Sequence, residues 1–100
     1  HDNEPAEAWW DCISEPERSY AARYMNMRDG EKISMAMIRT AFSSVCGLAV
    51  APMQDVLGLG IEARMNRPGT LGENWAWRMK AQAGPDVSER LRELNLLYGR

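Results

Sequence analysis

The chain is poor in the residues that small domains use as covalent or metal staples, with two cysteines and one histidine among 100 residues. Cys12 and Cys46 lie far apart, no C-x-x-C pair occurs and His1 is the only histidine, so no structural zinc site is expected. Two isolated cysteines in a domain of this size are expected in the core, as small hydrophobes. Positive charge is also short: 12 Lys and Arg against 14 Asp and Glu leave a formal charge of −2. That removes the electrostatic case for nucleic acid or an anionic membrane as a partner. The longest near-apolar run, Val45–Met53, falls far below the ~20 residues of a membrane span, and a cytoplasmic setting is the expectation. Length is lacking too, because a complete (β/α)8 barrel takes about 250 residues. The first residue is His1 and not Met, so a processed chain or a piece of something longer is expected. What is present is ordinary for a globular protein, with 45% apolar and 26% charged residues, which argues against a disordered tail.

Local signals then order the chain. Asn3, Glu4 and Pro5 suit a helix start, and a short helix over Ala6–Ile13 follows, carrying Trp9 and Trp10. Ser14-Glu15-Pro16-Glu17 reads as a capping box that begins a second helix running to about Tyr24. Asp29-Gly30 breaks the chain again. Ile33, Met37, Ala41 and Val45 recur at every fourth position, with Ile38 and Phe42 beside them, predicting a helix of about 12–14 residues that Gly47 ends. Leu48-Ala49-Val50-Ala51, closed by Pro52, reads as one strand buried on both faces. Gln54–Gly72 holds four glycines and Pro68 and reads as a long loop with one helical turn. Asp86 and Glu89 form a second capping box, and Val87, Leu91, Leu94 and Tyr98 make the stripe of a last helix ending at Gly99. One buried strand among four helices lacks the partners a strand needs, which again leads to the expectation of a fragment.

Few constellations carry chemistry by themselves. Gly58-Leu59-Gly60-Ile61-Glu62-Ala63 matches G-x-G-x-x-A, but the fingerprint works only between a strand and a long helix, and Pro68-Gly69 cuts such a helix short. Glycines permitting a tight loop are the better account. Trp75 and Trp77 set two indoles at strand spacing beside Arg78, a possible sugar platform that is weighed below simple packing. Trp9 and Trp10 point about 100° apart on a helix and read as structural. The seven methionines read as core filling.

Ile38-Arg39-Thr40-Ala41-Phe42-Ser43-Ser44-Val45 and Leu48-Ala49-Val50-Ala51-Pro52-Met53-Gln54-Asp55-Val56-Leu57-Gly58-Leu59-Gly60 together resemble the 4-α-glucanotransferase family (amylomaltase or disproportionating enzyme, glycoside hydrolase family 77). So do Glu62-Ala63-Arg64-Met65-Asn66-Arg67-Pro68-Gly69-Thr70 and Asn74-Trp75-Ala76-Trp77-Arg78. The opening His1-Asp2-Asn3 is similar to the family's His-Asp-Asn motif, at the end of the seventh barrel strand. The residues that follow, Glu4-Pro5-Ala6, depart from the Asp or Pro followed by threonine that is usual there.

The resemblance implies an α/β fold in which residues 1–100 form the C-terminal piece of a (β/α)8 TIM barrel, mostly helical with one buried strand. That piece would run from the end of strand 7 through strand 8 at Leu48–Met53 to the last helix. It implies a parent enzyme that transfers a segment of an α-1,4-glucan to the 4-hydroxyl of another sugar by a retaining mechanism, with no organic cofactor and no metal. Asp2 would be the carboxylate that stabilises the transition state, His1 would hydrogen-bond the glucose at the cleavage site, Asn66 would contact the glucan, and Gln54 would line the pocket. The nucleophile and acid/base lie upstream in the family, and none of Asp11, Glu15, Glu17 or Asp29 falls in a matching motif. The expected partners are a maltooligosaccharide substrate and the remainder of the barrel, with no nucleic acid and no membrane. The 100-residue piece alone is expected to be inactive. The competing reading is a non-catalytic helical interaction or glucan-binding module derived from such an enzyme.

Overall fold

Chain direction is reset at Ser14. Its N–H and its hydroxyl both donate to Glu17 Oε2, at 2.8 and 2.7 Å, so a carboxylate three residues on fixes a new helix start. In the computed structural model, which describes residues 1–100, this boundary separates α1 (Ala6–Cys12) from α2 (Glu15–Tyr24). Beyond α2, Asn26 and Gly30 take φ values of 48° and 74°, left-handed turns that reverse the chain into α3 (Ile33–Phe42). A single turn, α4 (Met53–Val56), a 3₁₀ turn over Ile61–Ala63 and α5 (Pro85–Tyr98) complete the order. Gly99, at φ 68°, gives α5 a left-handed C-cap.

Helix α3 is the hub of the packing and touches α1, α4 and α5. One of its sides buries Ile33 and Ala36 with Met25, against Trp9, Trp10 and Met37, which gives the two tryptophans the structural role expected of them. Its other side buries Ile38 with Val56 and Leu94, flanked by Phe42, Leu91 and Tyr98. Neither α1 nor α3 has a capping side chain of its own, since Pro5 and Lys32 stand at their N-caps. Asp55 Oδ1 accepts the Ala6 N–H at 2.7 Å, and Glu7 Oε1 accepts the Ser34 N–H at 3.1 Å and the Ser34 hydroxyl at 2.6 Å. Each helix start therefore receives a negative charge from another element, which suits both its free N–H groups and its dipole. At the far end of α3, the Arg100 guanidinium donates to the carbonyls of Phe42, Ser44 and Cys46.

Several expectations are corrected. Leu48–Ala51 is not a strand: none of its backbone groups bonds another segment, and Leu48 and Val50 are 78% and 80% exposed. A strand exists only with a hydrogen-bonding neighbour, and residues 1–100 offer it none. The molecule is helical, with no strand. α3 stops at Phe42, well before Gly47, and its buried face is Ile33, Ser34, Ala36 and Ile38, because partners on two sides pull burial away from the four-residue stripe. Helix α1 starts behind Pro5 and not at Asn3, and Asp86 lies inside α5, whose N-cap is Gly84. Cys12 and Cys46 are exposed thiols and not core residues. Only 11 of 100 residues are buried, so much of the apolar set has no cover within this chain.

Arg39 joins α3 to the end of α2. It makes a bidentate pair with Glu31, Nε to Oε1 and Nη2 to Oε2, both at 2.9 Å, and also donates to the Met25 carbonyl at 2.9 Å. Both side chains are 11% exposed. The Arg39 hydrogen bonds, aided by the Arg28 N–H, hold the Glu31 carboxyl below its ordinary range. A lowered folded-state value means that this stabilisation is complete above the ordinary carboxylate range and is lost as pH falls through the lowered value. Glu31→Gln should therefore cost about 2 kcal/mol near neutral pH and flatten the acid limb of stability. Urea denaturation of the protein between pH 3 and 7 checks both, and an unchanged acid limb would contradict the pairing.

Candidate active site

One guanidinium gathers the site from two ends of the sequence. Arg64 follows the 3₁₀ turn and donates through Nη2 to the Asp2 carbonyl at 2.7 Å, through Nη1 to Glu4 Oε2 at 3.0 Å and through Nε to the Asn66 carbonyl at 2.9 Å. The rigid planar fork fixes all three directions at once. Within that frame Asn66 Nδ2 donates to Asp2 Oδ1 at 2.8 Å, and His1 Nε2 lies 2.7 Å from the same oxygen. Gln54 sits on α4 and donates to the Ala63 carbonyl at 3.3 Å, which ties that helical turn to the 3₁₀ turn ahead of Arg64.

These groups border an open cleft of about 780 Å³, lined by His1, Asp2, Gln54, Trp9, Met37 and Trp75 among others. Of the four residues proposed from sequence, His1, Asp2 and Gln54 line the wall, whereas Asn66 is not part of the lining and is joined to it through Asp2. Two further carboxylates reach the wall, Glu4 and Asp55, but Glu4 is bound to Arg64 and Asp55 to the start of α1. Asp2 is the wall carboxylate that ends on site residues alone. Its side chain is 54% exposed and that of His1 57%, so both are open to a ligand. No group of three or more His, Cys, Asp or Glu side chains is placed to hold a metal ion.

Reading the sequence missed two contributors. Arg64 stood inside the Glu62–Thr70 stretch without a role, and its signal was its position two residues before Asn66. Trp75 was weighed as a sugar platform and set below packing, yet it lines the cleft while Trp77 does not. The Gly58–Ala63 stretch runs from α4 into the 3₁₀ turn with no strand before it, and the Gly58 carbonyl accepts from Lys32 Nζ at 3.1 Å, so the tight-loop reading holds over a nucleotide loop. Arg64→Ala should release residues 1–4 from the loop. Hydrogen exchange should then accelerate in peptides covering residues 2–9 while α5 stays unchanged, and equal protection in both proteins would argue against the clamp.

Comparison with known proteins places the chain in a family. The family profile described as 4-alpha-glucanotransferase matches residues 1–83. The chain is 44% identical to the chloroplastic/amyloplastic 4-alpha-glucanotransferase of Arabidopsis thaliana over 100% of this chain and 18% of that protein. It is 47% identical to a 4-alpha-glucanotransferase of Streptococcus pneumoniae over 100% of this chain and 20% of that one. Its backbone superposes on an amylomaltase from Streptococcus agalactiae in complex with acarbose with a TM-score of 0.95 and 33% identity, covering 100% of this chain and 20% of that structure. The chain spans about a fifth of the length of the relatives it matches. A profile matched over most of the chain, and a fold shared throughout, make it a member of the 4-α-glucanotransferase family.

Proposed function

We propose that residues 1–100 are the C-terminal segment of a (β/α)8-barrel 4-α-glucanotransferase, from the end of the seventh strand through the last helix, and that Asp2 is its transition-state-stabilising carboxylate. The observation that carries the reading is the 2.8 Å bond between Asn66 Nδ2 and Asp2 Oδ1, which joins two motif residues 64 positions apart at the edge of the cleft that Asp2 lines. Large apolar side chains left uncovered at Val45, Leu48 and Val50 fit a surface that the rest of a barrel would bury. The near-neutral balance of charge suits a polysaccharide that offers no charge to attract. The setting is cytoplasmic in this reading, supported by two cysteines that stand unpaired and exposed; no helix is long and apolar enough to cross a membrane.

The mechanism follows from the chemistry of retaining glycosyl transfer. A carboxylate nucleophile and a carboxylic acid about 5–5.5 Å apart cleave the glycosidic bond through an oxocarbenium-like transition state. Both come from the remainder of the barrel, and no residue of this chain is assigned to either role. Asp2 contributes negative charge beside the developing positive ring, and the bond from Asn66 holds it in place before the charge develops. His1 hydrogen-bonds the glucose at the cleavage point. Asn66 spends its Nδ2 on Asp2 and keeps its Oδ1 for a glucan hydroxyl, while Gln54 lines the pocket. A sugar hydroxyl then intercepts the covalent intermediate, favoured over water where the cleft holds the acceptor in position.

In the full-length enzyme, Asp2→Asn should lower kcat by about 10²–10³-fold with no change in thermal midpoint, read as glucose release from maltotriose. Near-normal activity would sink the assignment. The isolated 100-residue chain should release no glucose in the same assay. Maltooligosaccharide binding by a cooperatively folded isolated chain would favour the binding-module reading in place of the enzymatic one.

A further inference from the structure

The loop that carries Asn66 closes on itself with more structure than holding Asn66 requires. Asn74 Oδ1 accepts the Arg67 N–H at 2.8 Å, and Asn74 Nδ2 donates to both the carbonyl and the hydroxyl of Thr70 at 3.1 Å. Trp75 N–H donates to the Met65 carbonyl at 2.7 Å, and Arg78 Nη1 donates to the Trp75 carbonyl at 2.8 Å. These bonds hold Trp75 at φ 65°, a left-handed conformation that a bulky residue adopts only when its surroundings impose it. The outcome of that imposed geometry is specific. The Trp75 indole lies against the His1 imidazole, with ring centroids 4.7 Å apart and planes tilted by 42°, and it lines the same cleft. The loop therefore grips the His1–Asp2 pair at two points, Asn66 on the carboxylate and Trp75 on the imidazole.

We propose that Trp75 is a positioning residue for glycosyl transfer: its ring fixes the rotamer of His1, and through it the hydrogen bond that His1 gives the sugar. This rests on the assignment of His1 and Asp2 above. Packing alone explains it less well. Trp75 is 52% exposed, so it adds little to the core, and backbone strain at an exposed packing residue would bring nothing in return. Strain that aims a ring at a site residue has a use there.

A double-mutant cycle in the full-length enzyme tests this, with maltotriose disproportionation as the readout. Trp75→Gly removes the ring while glycine accepts the positive φ without strain, so the loop keeps its path. It should lower kcat about 10- to 100-fold with KM within about threefold, and Trp75→Phe, which keeps an aromatic face, should recover most of the loss. Because Trp75 acts through His1, His1→Ala and His1→Ala/Trp75→Gly should agree within about threefold. Multiplying losses in the double variant, a wild-type rate in Trp75→Gly or in His1→Ala, or a Trp75→Phe as slow as Trp75→Gly, would each overturn the proposal. If Trp75→Gly does not fold, the same cycle with Trp75→Leu, apolar but not aromatic, decides it by the same criteria. Asp2→Asn in parallel separates the two readings: an inactive Asp2→Asn beside a neutral Trp75→Gly removes only the Trp75 role, whereas an active Asp2→Asn removes the site assignment itself.

Discussion

Two helices of this protein, α1 and α3, take the cap at their start from a different element. Asp55 of α4 closes the start of α1, and Glu7 of α1 closes the start of α3. A missing cap costs a helix of this length on the order of 1 kcal/mol, and short helices are marginal alone in water. Borrowed caps therefore do more than seal ends. They make the start of α1 depend on α4 and the start of α3 depend on α1, which couples the three. With only 11 residues buried, hydrophobic burial cannot fix these orientations unaided, and directional bonds from carboxylates supply what area does not.

The site inherits this order. Residues 1–4 precede α1 directly, so the bond that seats Ala6 on Asp55 also limits where the segment ahead of Pro5 can go. Arg64 takes up that segment from the other side and bonds Asp2, Glu4 and Asn66 together. The frame is set by a guanidinium whose donors cannot rotate independently, a rigidity of the kind that positioning within about 1 Å would need. Lysine in that position would offer a single point of attachment and would leave the carbonyls without a common frame.

Much of the fold was legible where a signal is local. The Ser14–Glu17 pattern, the Asp29-Gly30 break and the α5 stripe ending at Gly99 each appear in the structure at or near the expected residues, because a cap or a left-handed glycine acts within a few positions. The signals that failed depend on distant partners. Leu48–Ala51 has the composition of a buried strand, but composition cannot supply the neighbouring strand that would bond it. The Ile33–Val45 stripe overran α3 because periodicity does not register that the packing elements end at Phe42. At the site, motif resemblance brought out Asp2, His1, Gln54 and Asn66, since these carry polar groups in a recognisable run. Arg64 and Trp75 escaped because their importance lies in contacts reaching back more than sixty positions, which no local pattern encodes.

The distribution of the acids, more than their sum, separates structure from chemistry. Glu7, Asp55 and Glu31 end on groups that hold the helices in place, Glu17 on Ser14 and Glu62 on the Gly60 N–H, and Glu4 on Arg64. A carboxylate committed to a helix start or a bidentate arginine has its charge already answered, and moving it toward a ligand would undo the element it holds. Asp2 differs in kind: Asn66 holds its Oδ1, His1 Nε2 lies 2.7 Å from the same oxygen, no hydrogen bond reaches its Oδ2, and the residue lines a cleft in which the other acids are spent. A held but incompletely satisfied carboxylate is the arrangement that can answer a charge which exists only in a transition state. The fold reaches it by committing Glu4, Glu7, Glu31 and Asp55 to the frame around that one carboxylate.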